Sequence, residues 1–323
     1  MSQVVRKTDE LFVDPDVVLE ARVDGTRRFR SKTALGSDYA RCCGEWLEYW
    51  ARVAPQRLFL AERDAQGQWV LLRYGQALDR VLRIATWMLG QRLSAERPVV
   101  ILSDNGIEHA LLSLAAMHIG VPCCAISPGN SLLSKDHGKL KANIELLRPG
   151  VVFADPLEPF ASALAAVRSL HDGVVVAGTR SHPSSGAMAF AELEARSDEE
   201  AVRQALAQVA PETIAKFLFT SGSISNPKAV INTQRMLCAS QKAKELIWPF
   251  LGKTTPVLVE WLPWSHTFGG NHNFNLVLRW GGSLYIDDGK PTPALLGKTV
   301  RNLKDVAPTL YFSVPRAYDM LVP

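Results

Sequence analysis

PVVILSDNGIEHALLSLAAMHIGVPCCAI, residues 98–126, decides the fold. It opens on a short β-branched run, 98–102, of the kind a strand buried on both faces shows. Ser103, Asp104 and Asn105 follow as candidate helix caps, and Ile107, Leu111, Leu114 and Ala115 then recur at helical spacing as far as Gly120. Residues 121–126 return to an apolar, strand-like run. Strand, helix and strand within about thirty residues make a βαβ unit, the building block of a parallel sheet faced by helices.

The pattern extends in both directions. Upstream, Leu78, Val81, Leu82, Ala85, Met88 and Leu89 place one apolar stripe on a helix over residues 74–90. Downstream, the apolar runs 151–154 and 174–177 continue the strand series. The turn-rich RSHPSSG at 180–186 and a charged, Ala-rich stretch to Ala210, read as a solvated helix, divide a first α/β sub-domain, 1–210, from a second portion, 211–323. That portion carries a strand at 214–219, a polar loop, a helix through Leu237 and Ile247, and strands at 257–262, 283–286 and 309–314. There is no repeat of fixed period. The expected class is α/β, with mostly parallel sheets flanked by helices.

Composition narrows the function classes. At 323 residues the chain exceeds one core, and with 47% hydrophobic and 21% charged residues it can bury a sizeable one. Lys and Arg number 36 against 32 Asp and Glu, and a net +4 over so much surface does not call for nucleic acid. The longest apolar run, 110–126, is broken by Ser113, His118, Gly120 and Pro122, so no membrane span is expected. The first thirty residues mix acids, bases and a proline where a secretory signal needs an unbroken apolar stretch. Five cysteines, Cys42, Cys43, Cys123, Cys124 and Cys238, show no C-x-x-C spacing, which fits a reducing cytoplasm.

Two stretches carry chemistry. KFLFTSGSISNPKAV, residues 216–230, packs four hydroxyls, a glycine and a lysine into the nine residues from Thr220 to Lys228, directly after an apolar strand. Hydroxyls and backbone N–H groups donate to phosphate oxygens, Gly222 lets the backbone approach, and Lys228 adds a point charge. It is not a Walker loop, because Pro227 and Ala229 stand where that motif needs a glycine and a hydroxyl. A Ser-rich surface turn is the bland alternative.

WLPWSHTFGGNHNFNLVLRWGGSLYIDDGKP, residues 261–291, combines aromatics, two histidines, amides and two Gly-Gly pairs. An aromatic wall with a few polar groups suits a flat aryl ligand, with Gly269 and Gly270 leaving room for a ring. The alternative is that Trp261, Trp264 and Phe268 are core and His266 is structural.

Thr220-Ser221-Gly222-Ser223 followed by Pro227-Lys228-Ala229-Val230 resembles the phosphate loop of the adenylate-forming superfamily of acyl-CoA synthetases, luciferases and peptide-synthetase adenylation domains, TSG[ST]TG-x-PK[GA]V. Ile224 stands where that family has a hydroxyl and Ser225 where it has its second glycine. Leu262-Pro263-Trp264-Ser265-His266-Thr267-Phe268-Gly269-Gly270 is similar to the family's LP-x-x-H-x-x-G region. The continuation from Asn271 to Leu276 and from Gly282 to Pro291, with the stretches at 232–238 and 308–315, is similar to the feruloyl-CoA synthetase branch. The resemblance covers the chain from about Glu45.

What the resemblance implies is an ATP-dependent acid–thiol ligase that activates an aromatic acid such as ferulate to its adenylate and then to a thioester, using ATP, Mg²⁺ and coenzyme A. Thr220, Ser221, Gly222, Ser223 and Lys228 would hold the β- and γ-phosphates. His266, Phe268, Gly269, Gly270 and Asn271 would border the acid pocket, with Lys228 and His266 the catalytic pair. It also implies that this chain is the N-terminal part of the large domain, with a small C-terminal domain beyond it and little activity in the part alone. A non-catalytic remnant that binds an aromatic acid or a partner protein is the rival reading, and an adenylating enzyme that uses no CoA is a second. The resemblance gives no metal ligand, and nothing in the sequence indicates an oligomeric state.

Other residues read blandly. His272, beside Asn271 and Asn273, is expected to be a hydrogen-bonder at a helix entry, and Asp287-Asp288 a polar turn before Gly289 rather than a metal pair. His109 and His118, nine apart on one helix, fall on opposite faces. Cys238 is expected to be a buried thiol.

Overall fold

The computed structural model describes residues 11–13, 16–182, 186–220, 228–290 and 292–321. A hairpin of β1 (Val17–Ala21) and β2 (Arg27–Ser31) stands apart as a two-stranded sheet. Helix α1 (Cys43–Val53), strands β3 (Leu58–Arg63) and β4 (Trp69–Arg73), and helix α2 (Tyr74–Leu89) follow. The stretch that decides the fold becomes β5 (Val99–Ser103), α3 (Ile107–His118) and β6 (Cys123–Ala125). Next come α4 (Gly129–Leu132), α5 (Gly138–Leu147), β7 (Val151–Asp155), α6 (Ala161–Val167), β8 (Val174–Ala177), β9 (Met188–Ala189) and α7 (Glu199–Gln208). The last third holds β10 (Ile214–Phe219), β11 (Ala229–Thr233), α8 (Gln234–Ile247), β12 (Val257–Glu260), α9 (Phe274–Trp280), β13 (Ser283–Ile286), α10 (Leu296–Val306) and α11 (Pro315–Leu321).

Seven strands form one sheet in the order β11-β10-β6-β5-β7-β8-β9, parallel except for β11 against β10. Alternation along β5 explains why this sheet needs cover on both faces. Val99 and Ile101 enter one core with α2 and α3, while Val100 and Leu102 enter a second with Leu140, Ile144 and Ala163 of α5 and α6. A second sheet, β12-β13-β3-β4, turns Leu60, Leu258 and Leu284 into the first of those cores. Helix α3 is consequently buried at all twelve positions, beyond the single stripe that its spacing predicts.

Several expectations need correcting. The caps read into Ser103, Asp104 and Asn105 are not used: Gly106 precedes the helix without a side-chain cap, and Glu62 Oε2 accepts from Ile107 N at 2.9 Å. The carboxylate of a distant strand does the capping. Leu89, counted in the stripe of α2, is 42% exposed, because the buried face runs instead through Ala77, Val81, Ile84, Ala85 and Met88. Residues 309–314 do not form a strand and contribute one bridge, Leu310 to Leu258. Sheet membership does not follow the division at Ala210: β10 and β11 join the sheet built before it, and β3 and β4 join the sheet built after it. The stretch ending at Ala210 does hold the solvated helix, α7, capped by Asp198 Oδ1 on Ala201 N at 3.0 Å.

Candidate functional site

The strands β10 and β11 make an antiparallel hairpin, with Phe219 opposite Ala229. Thr220 N donates to Lys228 O at 3.4 Å across its neck, and both side chains are exposed there. Ser221, Gly222 and Ser223, with Ile224, Ser225 and Pro227, lie outside the described residues. Thr220 and Lys228 therefore flank the loop at the connecting end of a hairpin whose β11 strand is the sheet edge and whose β10 strand pairs inward with β6.

The second stretch leaves β12 and turns at once. His266 N donates to Pro263 O at 3.0 Å, and a π-helical turn, Thr267–Asn273, leads directly into α9. The His266 side chain is exposed ahead of this turn, and Phe268 is 38% exposed. Gly269 and Gly270 are buried, and a Cβ on either would collide with the carbonyl oxygen of Leu262 or Trp264. Those two glycines thus let backbone pass against backbone, rather than leaving space for a ring as the composition suggests. Asn105, read as a cap, instead holds this turn: its Nδ2 donates to Leu262 O at 2.9 Å and its Oδ1 accepts from Trp264 N at 2.9 Å.

Among the described residues two hydrogen bonds join the β10–β11 hairpin to this turn. Lys216 Nζ on β10, 7% exposed, donates to Gly270 O at 3.1 Å. Asn271 Nδ2 donates to Asn232 Oδ1 on β11 at 3.0 Å. The hairpin neck and the His266 turn are tied together from both strands, one on each side of the loop. Lys216, Asn105 and Asn232 are partners that the residue-type reading missed. The signal for Lys216 was available: a lysine inside IAKFLF must either be paired or face a polar group.

Burial sets the protonation of the groups beneath. Glu260, 1% exposed, accepts from Leu262 N at 2.6 Å and from Asn273 Nδ2, and burial pushes its carboxyl up to about 8. His272 hydrogen-bonds Asn273 Oδ1 through Nδ1 at 2.7 Å, in keeping with its expected helix-entry role. Burial first, then the Lys244 ammonium, bring its imidazole down to about 4. His109 is likewise pushed to about 4 by burial, against Ser103 and the Trp264 ring, whereas His118 faces Glu48. Cys238 is fully buried beside Cys43.

Asp287 accepts from Gly289 N, Thr299 Oγ1 and Asn302 Nδ2, while Asp288 faces Lys298, Arg301 and Asn302, so their oxygens serve a turn and a helix. Among the described residues no three His, Cys, Asp or Glu side chains are grouped to hold a metal ion. Among them, too, no helix is long and apolar enough to cross a membrane.

Residues 47–323 match the AMP-binding enzyme family. A long-chain-fatty-acid–CoA ligase of Drosophila melanogaster, heimdall, is 24% identical over 269 residues, covering 78% of this chain and 37% of that protein. A 4-coumarate–CoA ligase-like protein 9 of Arabidopsis thaliana is 30% identical over 172 residues, covering 52% of this chain and 28% of that one. The chain thus spans well under half the length of these relatives. Among solved structures, ATP-bound MatB from Rhodopseudomonas palustris superposes with a TM-score of 0.66 at 19% identity, over 87% of this chain and 51% of that one. The α/β architecture described above is that of adenylate-forming enzymes.

Proposed function

The chain belongs to the AMP-binding enzyme family, and from that premise we propose that it forms the phosphate- and acid-binding part of an ATP-dependent acid–thiol ligase acting on an aromatic carboxylic acid such as ferulate. One observation carries this reading: Lys216 to Gly270 and Asn271 to Asn232 fasten the phosphate hairpin to the His266 turn. In adenylate formation a carboxylate oxygen attacks the α-phosphorus of ATP and the bond to pyrophosphate breaks. The acid and the triphosphate must therefore meet, and these two segments meet here.

The residues take roles that follow from their chemistry. Thr220, Ser221, Gly222, Ser223 and Lys228 hold the β- and γ-phosphates and the departing pyrophosphate. Charge accumulates on those oxygens as the α-phosphorus changes partners, so donors placed there stabilise the transition state more than the ground state. His266, exposed at the head of its turn, borders the incoming carboxylate, and Phe268 and Asn271 border the ring, with Gly269 and Gly270 supplying the tight backbone turn between them. In the second half-reaction the sulfur of coenzyme A attacks the acyl carbon and AMP leaves. Mg²⁺, which the family's chemistry uses, would ride with the triphosphate.

Equilibrium dialysis and thermal shift test the reading on this chain. Ferulate binding that strengthens when ATP is present is the expected result. Preference for a long-chain fatty acid over ferulate would overturn the aromatic part, and no melting shift with ATP or pyrophosphate would overturn the phosphate part.

A further inference from the structure

Lys244, on α8, is 7% exposed, and among the described residues its hydrogen-bond acceptors are only the carbonyl and hydroxyl of Ser240 one turn before it, at 3.3 and 3.2 Å. No described carboxylate pairs with it; the adjacent Glu245 is engaged by Lys242 and Arg279. Burial brings its ammonium down to about 8. A buried cation is normally paired, so an unpaired one marks a place where something else supplies the oxygen.

Unpartnered amides accompany it. Gln241 Nε2 donates to Asn271 O at 3.2 Å and Arg279 Nη2 to Glu245 Oε2 at 3.0 Å, so α8 runs alongside the π-helical turn and α9, with Lys244 and Asn275 between those two ties. Gln241 and Asn275 are 0% exposed, yet Gln241 Oε1 and both amide atoms of Asn275 have no partner among the described residues. Next to this polar patch stands an aromatic wall: His272, close enough for the Lys244 charge to act on it, lies 5.8, 5.4 and 5.1 Å from the rings of Trp248, Phe268 and Phe312. Phe268 reaches the surface beside His266, so the wall runs inward from the exposed turn toward Lys244.

We propose that Lys244 is a specificity-determining residue that recognises an oxygen substituent on the substrate ring, at the end away from the carboxylate, and so selects phenolic over unsubstituted aromatic acids. A phenol suits the patch because it is both acceptor and donor: its oxygen accepts from the Lys244 ammonium while its O–H donates to an amide oxygen such as Gln241 Oε1. The proposal rests on the reading of the His266 turn as the acid site.

Tryptophan fluorescence titration with cinnamate and 4-hydroxycinnamate, which differ by one hydroxyl, tests it. The chain should bind the hydroxylated acid about tenfold or more tightly, the scale of a hydrogen bond to a charged group. Lys244→Met should remove that preference and leave cinnamate affinity within about twofold. Equal affinity of the unaltered chain for both acids overturns the proposal while the aromatic-acid reading stands, and so does a variant that weakens both acids alike. Binding of neither acid, with ATP still shifting the melting temperature, overturns the aromatic-acid reading and this proposal with it. Should Lys244→Met fail to melt cooperatively, the comparison of the two acids on the unaltered chain decides.

Discussion

Lys216 Nζ donates to the carbonyl of Gly270 at 3.1 Å, across 54 residues of sequence, so the first strand of the β10–β11 hairpin holds the turn that presents His266. Its ammonium also sits 5.9 Å from the Phe274 ring at the start of α9. Replacing it with methionine keeps the apolar stem but strands the carbonyl. Lys216→Met should lose about 1–3 kcal/mol of stability, read from urea unfolding, the cost of leaving a buried acceptor unpaired.

Asn105 performs the matching task from the other side, binding both Leu262 O and Trp264 N. Asn105→Ala removes donor and acceptor together and should cost about 1–3 kcal/mol. Asn105→Asp keeps only the acceptor for Trp264 N and should fall between the two in the same unfolding experiment.

The space at Gly270 is taken by the Trp264 carbonyl, whereas a Cβ at Gly297 meets nothing within 4 Å. Gly270→Ala must displace backbone, and overpacking of that kind costs about 1–3 kcal/mol or more. Gly297→Ala, on helix α10, should be neutral or slightly stabilising. Melting curves of the pair check the contrast.

Glu260 carries a carboxyl raised from the usual 4.5 to about 8. The folded state binds this proton more tightly than the unfolded chain does. Its contribution is therefore full below pH 4.5, is lost as pH rises from there through 8, and is constant above. The difference in melting temperature between the unaltered chain and Glu260→Gln should accordingly shift against the unaltered chain from pH 5 to pH 8.5. A difference that stays flat across that range would contradict the assignment.

Lys228 stands exposed at the hairpin neck and bears no load in the core. Lys228→Ala should leave the melting temperature within a degree or two while weakening pyrophosphate binding about tenfold, as expected for loss of a charge-assisted contact. Titration calorimetry with pyrophosphate measures it.

Local pattern was enough for some of this. The alternation of Val99 to Leu102, the helical recurrence after Ile107 and the hydroxyl-rich run after Phe219 are properties of neighbouring residues, and backbone periodicity imposes them wherever the chain lies. They determined the α/β class, the parallel βαβ core and the position of the hydroxyl-rich loop after β10. What only the tertiary structure decided is which distant group meets which. Strands at 58–73 join those at 257–286 in one sheet, Asn105 reaches Trp264 across 159 residues, and Glu62 caps a helix 45 residues away. Glu260 has its carboxyl raised, and Lys244 meets no carboxylate among the described residues, because of what is packed around them rather than what precedes or follows them. Such pairings depend on sheet order and on the removal of water, and neither is a property of adjacent residues.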